Sequence, residues 1–558
     1  EPLTSRAARF GWRRLVTPRN GLVVAACAIA GGTALYYAVF TLLLLGAAIA
    51  LRLMLTRRLR SVRGPIIAWG AVVATLMLTF IPALAYRVQN GANPAAAAPR
   101  LAFESDVYSF GLGQLLFSSW WHRLPFIADI GARYQQGAVN FADPNVYVGM
   151  VFGITFIGVL VALAVMTLRG RWPTGYMATQ VRAAALAAVG TFLIGTFGGV
   201  GSIIAHLVSP QIRVWTRITP FLAFFCAVLL GSLLTVLARR ATASKRWRWL
   251  AIIGVADQTS PALAPDHAAN AVRWNTTRAF VREVERVMPA DAMVLQLPLV
   301  PYPEGTPINE MEAYDHLLGT IHSSDLRWSF GAMKGRPEDW SSVAIERGLS
   351  NRQVVTGAAG AGFSGVWLDR AAYEDNGAGM DLELQGMTGQ GPSVTAEGGR
   401  WALYDLRPLR ASLLRTNGRA PTRAAGIALV QPALVQYGRG FEPEEGGAGG
   451  SRWRWMGRSA NLIIENPAKS RQRLEWKAEL RGAINGSVRV SYQGARLAEV
   501  RLIGGRGRLR VTIPARSGRS IATVTALGSN QAGPGDPRLL IAALENPTIA
   551  SPALNISP

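Results

Sequence analysis

Hydropathy divides this chain sharply in two. The first 255 or so residues hold several stretches long and apolar enough to cross a bilayer, and the remaining 300 or so hold none. A helix needs roughly 20 apolar residues to span a hydrocarbon core. The pattern therefore predicts an α-helical polytopic membrane bundle over residues 1–256, with five to seven helices, carrying a large water-soluble C-terminal half. Mean hydropathy of +0.20 with 16% charged residues fits such an average of two unlike halves.

Within the bundle, residues 22–54 form one long apolar run interrupted by Gly31, Gly32, Tyr36 and Tyr37. Arginines lie on both sides of it: Arg6, Arg9, Arg13 and Arg14 before, and Arg57, Arg58, Arg60 and Arg63 after. If both groups are cytoplasmic, the run is a hairpin turning near the glycines rather than one tilted span. Further spans are expected at 65–86, 146–168, 183–207 (rich in Gly and Ala) and 220–238. Basic residues at 57–63, 169–182 and 239–248 mark the cytoplasmic side, which puts loops 88–145 and 208–219 outside. For the C-terminal half to be outside as well, the chain must cross again after Arg240. The apolar stretch there, Trp247–Val255, is too short unless the helix starts earlier and Arg246 and Arg248 snorkel, or part of a span has been lost.

The soluble half changes pattern along its length. An amphipathic helix at 275–288, with Phe280, Val281, Val284 and Val287 on one side, precedes buried-strand patterns at 293–298, 362–370 and 400–406. This alternation predicts a small α/β domain over 257–412. Short strands with period-two alternation follow, such as NLIIENP, SVRVSYQG and RLRVTIPA, and predict an all-β, jelly-roll-like sandwich over 413–558, entered through a linker at 438–450.

The net charge of +24 suggests nucleic acid at first sight, but the arginines mainly flank apolar segments, where they meet lipid headgroups, and nucleic-acid binding is not expected. Cys27 and Cys226 both lie inside apolar runs, so no disulfide framework is available. There is no P-loop, dinucleotide fingerprint, nucleophile elbow or zincin motif. Five dispersed histidines give no standard metal spacing, so no cofactor is expected and a divalent metal is unsupported.

Three groups of residues carry possible chemistry. Loop 88–145, expected as interfacial helices, holds Glu104, Asp106, Tyr108, His122, Arg123 and Asp129. Its carboxylates, Glu104 and Asp106, suit catalytic proton transfer, and His122 with Arg123 suits a lipid-linked phosphate; interfacial anchoring is the plainer reading. Arg213 and Arg217 sit four apart on the expected outer side, against the positive-inside trend, which suggests either an anionic partner such as phosphate or a salt bridge to loop 88–145. In the α/β domain, 314–336 holds Asp315, His316, His322, Asp325, Arg327, Trp328, Lys334 and Arg336. The first six suit recognition of a sugar or acceptor, with Trp328 stacking; a structural polar network is the competing reading.

Taken in order, the segments GGTALYYAVFTLLLL, ESDVYSFGLGQLLF…HRLP, IRVWTRITPFLAFF, ADQTSP, YDHLLGTIHSSDLRWSFGAMKGR and GFSGVWLDR resemble bacterial polytopic membrane sugar transferases of the GT-C superfamily. The resemblance covers about 20–410 and extends to a β-sandwich tail. It implies transfer of a sugar from a polyprenyl-phosphate donor to an envelope glycan acceptor at the outer face of the plasma (inner) membrane. It makes Glu104, His122, Arg123, Arg213 and Arg217 neighbours of the donor phosphate. In that family the catalytic carboxylate usually lies in the first external loop, which this chain is expected to begin after. The alternative is a non-catalytic membrane scaffold, or a transporter-like protein, whose soluble part binds glycan or protein. Spans almost free of ionisable residues argue against the transporter.

Overall fold

A computed structural model describes residues 18–93, 95, 99–117, 121–137, 146, 148–172, 174–240, 244–260, 262, 264–446 and 450–558. Arg6, Arg9, Arg13 and Arg14 lie outside these residues, as do the side chains of Arg239, Arg240, Arg246 and Arg248. The chain divides into two compact units, Glu1–Ala92 with Pro99–Asp266, and Asn93–Ala98 with His267–Pro558.

The first unit is helical: α1 (Pro18–Thr33), α2 (Leu35–Thr56), α3 (Arg63–Asn90), α4 (Glu104–Val107), α5 (Gln114–Phe117), α6 (Pro125–Gly137), α7 (Met150–Arg169), α8 (Tyr176–Gly195), α9 (Val200–Leu207), α10 (Thr219–Arg240) and α11 (Ser244–Gln258). Five of its helical segments are long and apolar enough to cross a membrane: 35–56, 59–90, 150–169, 177–195 and 215–236. Only 11–28% of each hydrophobic window is buried inside the unit, so most apolar side chains face outward. Such an inside-out surface is stable in lipid and not in water. The interior is made by close contact of small and aromatic residues. Ala184, Ala185 and Ala188 of α8 pack beside Leu222, Cys226 and Leu229 of α10, with Phe40 and Phe156 filling the remaining space.

One sequence expectation changes here, that for 183–207, and two readings left open are decided. The 22–54 run is two helices broken at Ala34, which is extended (φ −160°, ψ 144°). Among the described residues α1 covers 16 positions, about 24 Å of helix. The glycine-rich stretch 183–207 is not one span: α8 stops at Gly195 and α9 restarts at Val200. Of the two readings for the short apolar stretch before Asp257, the structure bears out the helix that starts earlier: among the described residues it runs from Ser244 to Gln258.

In the second unit, α12 (His267–Val287), β1 (Met293–Leu297), α13 (Leu317–His322), β2 (Arg327–Trp328), α14 (Trp340–Glu346), α15 (Asn351–Ala361), β3 (Gly365–Asp369), α16 (Ala378–Thr388), β4 (Val394–Thr395), β5 (Trp401–Asp405), α17 (Arg407–Asn417) and α18 (Arg419–Val430) form an α/β layer structure. Its sheet has the order β2-β1-β3-β5-β4; β2, β1 and β3 run parallel, while β5 is antiparallel to β3 and β4. Helices cover both faces, which is why its central strands read as unbroken apolar runs rather than alternating ones. Leu295, Leu297, Val366 and Leu368 pack on α14–α18. Val294, Trp367, Trp401 and Leu403 pack on Phe280, Val281 and Val284 of α12.

Strands β6 (Leu434–Tyr437), β7 (Phe441–Gly446), β8 (Arg452–Met456), β9 (Ser459–Asn466), β10 (Gln472–Gly482), β11 (Ser487–Tyr492), β12 (Ala495–Arg501), β13 (Arg506–Ala515), β14 (Gly518–Leu527) and β15 (Ala542–Ala550) make two five-stranded antiparallel sheets. Their orders are β13-β10-β15-β8-β7 and β12-β11-β14-β9-β6. The inward side of every second residue forms one core, from Leu462 and Ile464 to Val511 and Ile513. Part of the expected linker at 438–450 is strand: Phe441–Gly446 forms β7, which pairs with β8. The α/β layer runs on through Val430, and Leu554 near the C-terminus returns to its core.

Candidate functional site

One end of the membrane unit is built from irregular backbone. The segment Tyr108–Phe110 lies between the α8–α9 break and the turn before α10. Phe110 N–H donates to Gly195 O and Phe197 N–H to Phe110 O, each at 3.2 Å, and Thr216 N–H donates to Tyr108 O at 3.1 Å. Broken helices of this kind persist beside lipid only where such substitute bonds exist. The glycines permit the approach: a Cβ on Gly195 would stand 2.4 Å from the Phe110 ring, and one on Gly201 2.4 Å from the Trp215 ring. The glycine enrichment of 183–207 thus reflects a threaded break as well as helix packing.

Two predicted carboxylates sit on this scaffold, in different settings. Glu104 Oε1 faces Arg213 Nη1 at 3.3 Å, with both side chains partly exposed, and its Oε2 accepts from Leu101 N–H at 3.2 Å. The Arg213 guanidinium also lies 5.2 Å from the Tyr108 ring centre. Asp106 accepts from Gly198 N–H and from the Ser202 hydroxyl, both at 3.1 Å, and so binds the start of α9. Arg217 takes another direction: it is exposed and stacks 4.6 Å above Tyr36 of α2. Among the described residues no carboxylate pairs with it. Between the two arginines, Trp215 is 1% exposed and packs against Phe40 at 5.8 Å.

A second cluster joins loop 88–145 to the end of α11. Buried His122 Nε2 lies 3.2 Å from Asp257 Oδ1. Leu124 N–H donates to His122 Nδ1 at 3.1 Å, so Nε2 carries the proton directed at Asp257. Asp257 Oδ2 accepts from Val151 N–H at 3.3 Å, and Gln258 reaches the Val148 carbonyl. Arg123 donates to the Thr259 carbonyl and hydroxyl at 2.8 Å each. The C-terminal end of α11 is thereby held at the N-terminal end of α7, so the chain leaves the bundle at the end that carries loop 88–145.

The 314–336 residues separate by setting within the second unit. Asp315 accepts from Arg400 Nη2 at 2.6 Å, pairs with Arg273, and accepts from Glu312 N–H at 3.1 Å. Arg400 also holds Asp369 at 3.0 and 2.8 Å, and Trp401 Nε1 donates to Asp369 at 3.1 Å. His316 is buried, with Nε2 2.9 Å from Pro298 O; burial pushes its pKa below the ordinary 6.5. His322 packs edge-on to Trp274 at 4.2 Å; burial and then Arg278 lower its pKa, and its Nε2 has no hydrogen-bond partner among the described residues. Trp328 packs against Gly319 and 5.3 Å from Trp367, with its ring turned into the core. Asp325 and Arg327 are exposed at the sheet edge. These residues do not converge on one concave site.

Sequence reasoning missed Asp257, Tyr36, Arg273, Asp369 and Arg400. A single carboxylate at the end of an apolar stretch, in ADQTSP, was the available signal for Asp257. The others are ordinary until the fold places them. No group of three or more His, Cys, Asp or Glu side chains suited to a metal ion occurs among the described residues.

No protein-family model matches the chain, and no curated protein does. Among solved structures, the chain is similar to a family 6 carbohydrate-binding module from Clostridium stercorarium in complex with cellobiose, at 10% identity and a TM-score of 0.15, over 21% of this chain and 86% of that one. The C-terminal module of the same type from a laminarinase of Zobellia galactanivorans matches at 10% identity and 0.15, over 21% and 99%. The arabinofuranosyltransferase AftD from Mycobacteria matches at 11% identity and 0.21, over 77% of this chain and 44% of that one, so the chain spans less than half its length. Likenesses at these scores assign neither family nor activity.

Proposed function

We propose that this chain is the membrane portion, with attached soluble domains, of a bacterial glycosyltransferase that moves a sugar from a polyprenyl-phosphate donor to an envelope glycan acceptor. The observation that carries this reading is Arg217, an exposed guanidinium at the end of an apolar bundle, stacked on Tyr36 and lacking a carboxylate partner among the described residues. A lipid-linked phosphate satisfies both features: its tail lies along the apolar helices and its phosphate meets the guanidinium.

In this reading the phosphate also competes for Arg213 and releases Glu104. The freed carboxylate accepts the proton of the acceptor hydroxyl as that oxygen attacks the anomeric carbon; the bond from that carbon to the phosphate oxygen breaks and polyprenyl phosphate leaves. Asp106 and the His122–Asp257 pair hold the scaffold. The end carrying loop 88–145 is extracytoplasmic by the arginine distribution, in a multi-pass protein of the plasma membrane. The second reading, a non-catalytic scaffold, is favoured by the fact that both carboxylates already have partners.

Transfer from polyprenyl-phosphate sugars in proteoliposomes of the full-length protein decides between them. Arg217→Ala should weaken donor binding at least tenfold, and Glu104→Gln should lower turnover with donor binding intact. Absence of transfer with every donor, or wild-type rates in both variants, overturns the enzyme reading.

A further inference from the structure

The sandwich has two unlike ends. One faces the α/β layer, where Gln472 Nε2 donates to Gln431 O at 2.7 Å. At the other, three loops meet: 483–486, the turn 502–505, and the chain after Leu527. Leu502 N–H donates to Gly486 O at 2.8 Å and Gly482 N–H to Gly505 O at 2.9 Å, while Gly528 packs on Ala483.

Each loop raises a large apolar side chain into solvent. Ile503 is 86% exposed, Ile484 70% and Leu527 62%. The only other large exposed apolar residues among the described part of the sandwich are Leu539 and Ile521, and Leu539 belongs to this same end. Single exposed apolar residues are ordinary on any surface. Clustering at one tip, beyond the ends of strands whose inward residues form a buried core, marks a contact surface.

The rim is basic. Arg458, whose carbonyl accepts from Ala526 N–H beside Leu527, is exposed, and so are Arg501 and Arg506 on either side of the Ile503 turn. Arg506 reaches Glu545 only at 3.9 Å. Asp536, on the nearby loop, is held by Arg538. Apolar tips within a ring of arginines match the interfacial region of a bilayer, which offers acyl chains below a layer of phosphates.

We infer that this end of the sandwich docks on an anionic phospholipid leaflet. Ile484, Ile503 and Leu527 enter the boundary between headgroups and acyl chains, and Arg458, Arg501 and Arg506 contact phosphates. The surface answers charge complementarity with anionic lipid, and the spans of the same chain keep it at a membrane, which raises the local concentration of the surface it needs.

The test uses the full chain in nanodiscs, with Ile503→Cys carrying an environment-sensitive fluorophore and the labelled unsubstituted chain as control for Cys27 and Cys226. Discs of phosphatidylcholine alone, or with about a third phosphatidylglycerol, are compared with and without added vesicles of the same composition. Anionic lipid in the discs or the vesicles should shift emission to the blue and reduce iodide quenching several-fold. Arg501→Glu should weaken the response by at least fivefold, the effect of about one basic residue at such a surface, and Ile484→Asp with Leu527→Asp should abolish it. Emission that stays water-like with every lipid overturns the inference. So does an equal response to neutral lipid, or a shift that depends on protein concentration rather than lipid, which would indicate a second copy on the tip.

Discussion

Replacing Arg400 by leucine tests whether Asp315 belongs to the architecture of the α/β layer or is available to a ligand. Arg400 makes three charge-assisted hydrogen bonds, two to Asp369 and one to Asp315, at 2.6–3.0 Å. Asp369 is 1% exposed and Asp315 8%. Without Arg400, Asp315 keeps Arg273, whereas Asp369 keeps only the neutral donors Trp401 Nε1 and Ala371 N–H. Stranding one buried carboxylate costs about 3–5 kcal/mol, and the partial exposure of Arg400 points to the lower end, about 3 kcal/mol. For a unit of this size that is a fall of roughly 6–10 °C in unfolding temperature. The assay is thermal unfolding of the full chain in detergent, followed by aromatic fluorescence. Adding Asp369→Asn removes the stranded charge and should restore about half the loss, while Arg273→Leu alone should cost about 1 kcal/mol or less, because Arg400 remains. An unfolding temperature within about 2 °C of wild type for Arg400→Leu, or no recovery in the double variant, would refute this account.

Gly201→Ala places a Cβ 2.4 Å from the buried Trp215 ring. It should destabilise the membrane unit by about 1–3 kcal/mol, seen as increased protease sensitivity, and weaken lipid-phosphate binding through the displaced Arg213–Arg217 segment. His316→Gln tests a pH effect. Burial depresses the folded pKa below 6.5, so the unfolded chain takes up the proton first. The resulting stability is complete above about pH 6.5 and is lost as pH falls through the folded value. Wild type should therefore lose more unfolding temperature between pH 8 and pH 5 than the variant. Asp106→Ala should cost about 1–2 kcal/mol by leaving Gly198 N–H and the Ser202 hydroxyl without their acceptor, and Asp106→Asn less; if both lower sugar transfer while unfolding is unchanged, Asp106 acts in chemistry and not in holding α9.

Much of the architecture was legible from composition along the chain. A membrane span is recognised by the sum of its side-chain transfer energies, and a half-buried strand by period-two alternation; both are local properties. This located three of the five spans closely, together with β1, β3, β5 and most sandwich strands. The failures share a cause. The 183–207 stretch is apolar throughout, so hydropathy shows nothing of the break at 195–199, which exists because Phe110 bonds there from 85 residues earlier in the chain. The 438–450 stretch contains turn residues, yet β7 has a partner strand in β8.

By itself the sequence determined that the chain has an apolar helical half and a soluble half that passes from α/β to all-β, because burial energy adds residue by residue. Only the tertiary structure decided which charges meet. It joined Glu104 to Arg213, His122 to Asp257 and Arg400 to both Asp315 and Asp369, across 109, 135, 85 and 31 positions respectively. It left Arg217 stacked on an aromatic ring. Ion pairs and hydrogen bonds act over a few ångströms, and which groups come that close depends on how helices and strands pack, a property that no segment carries alone.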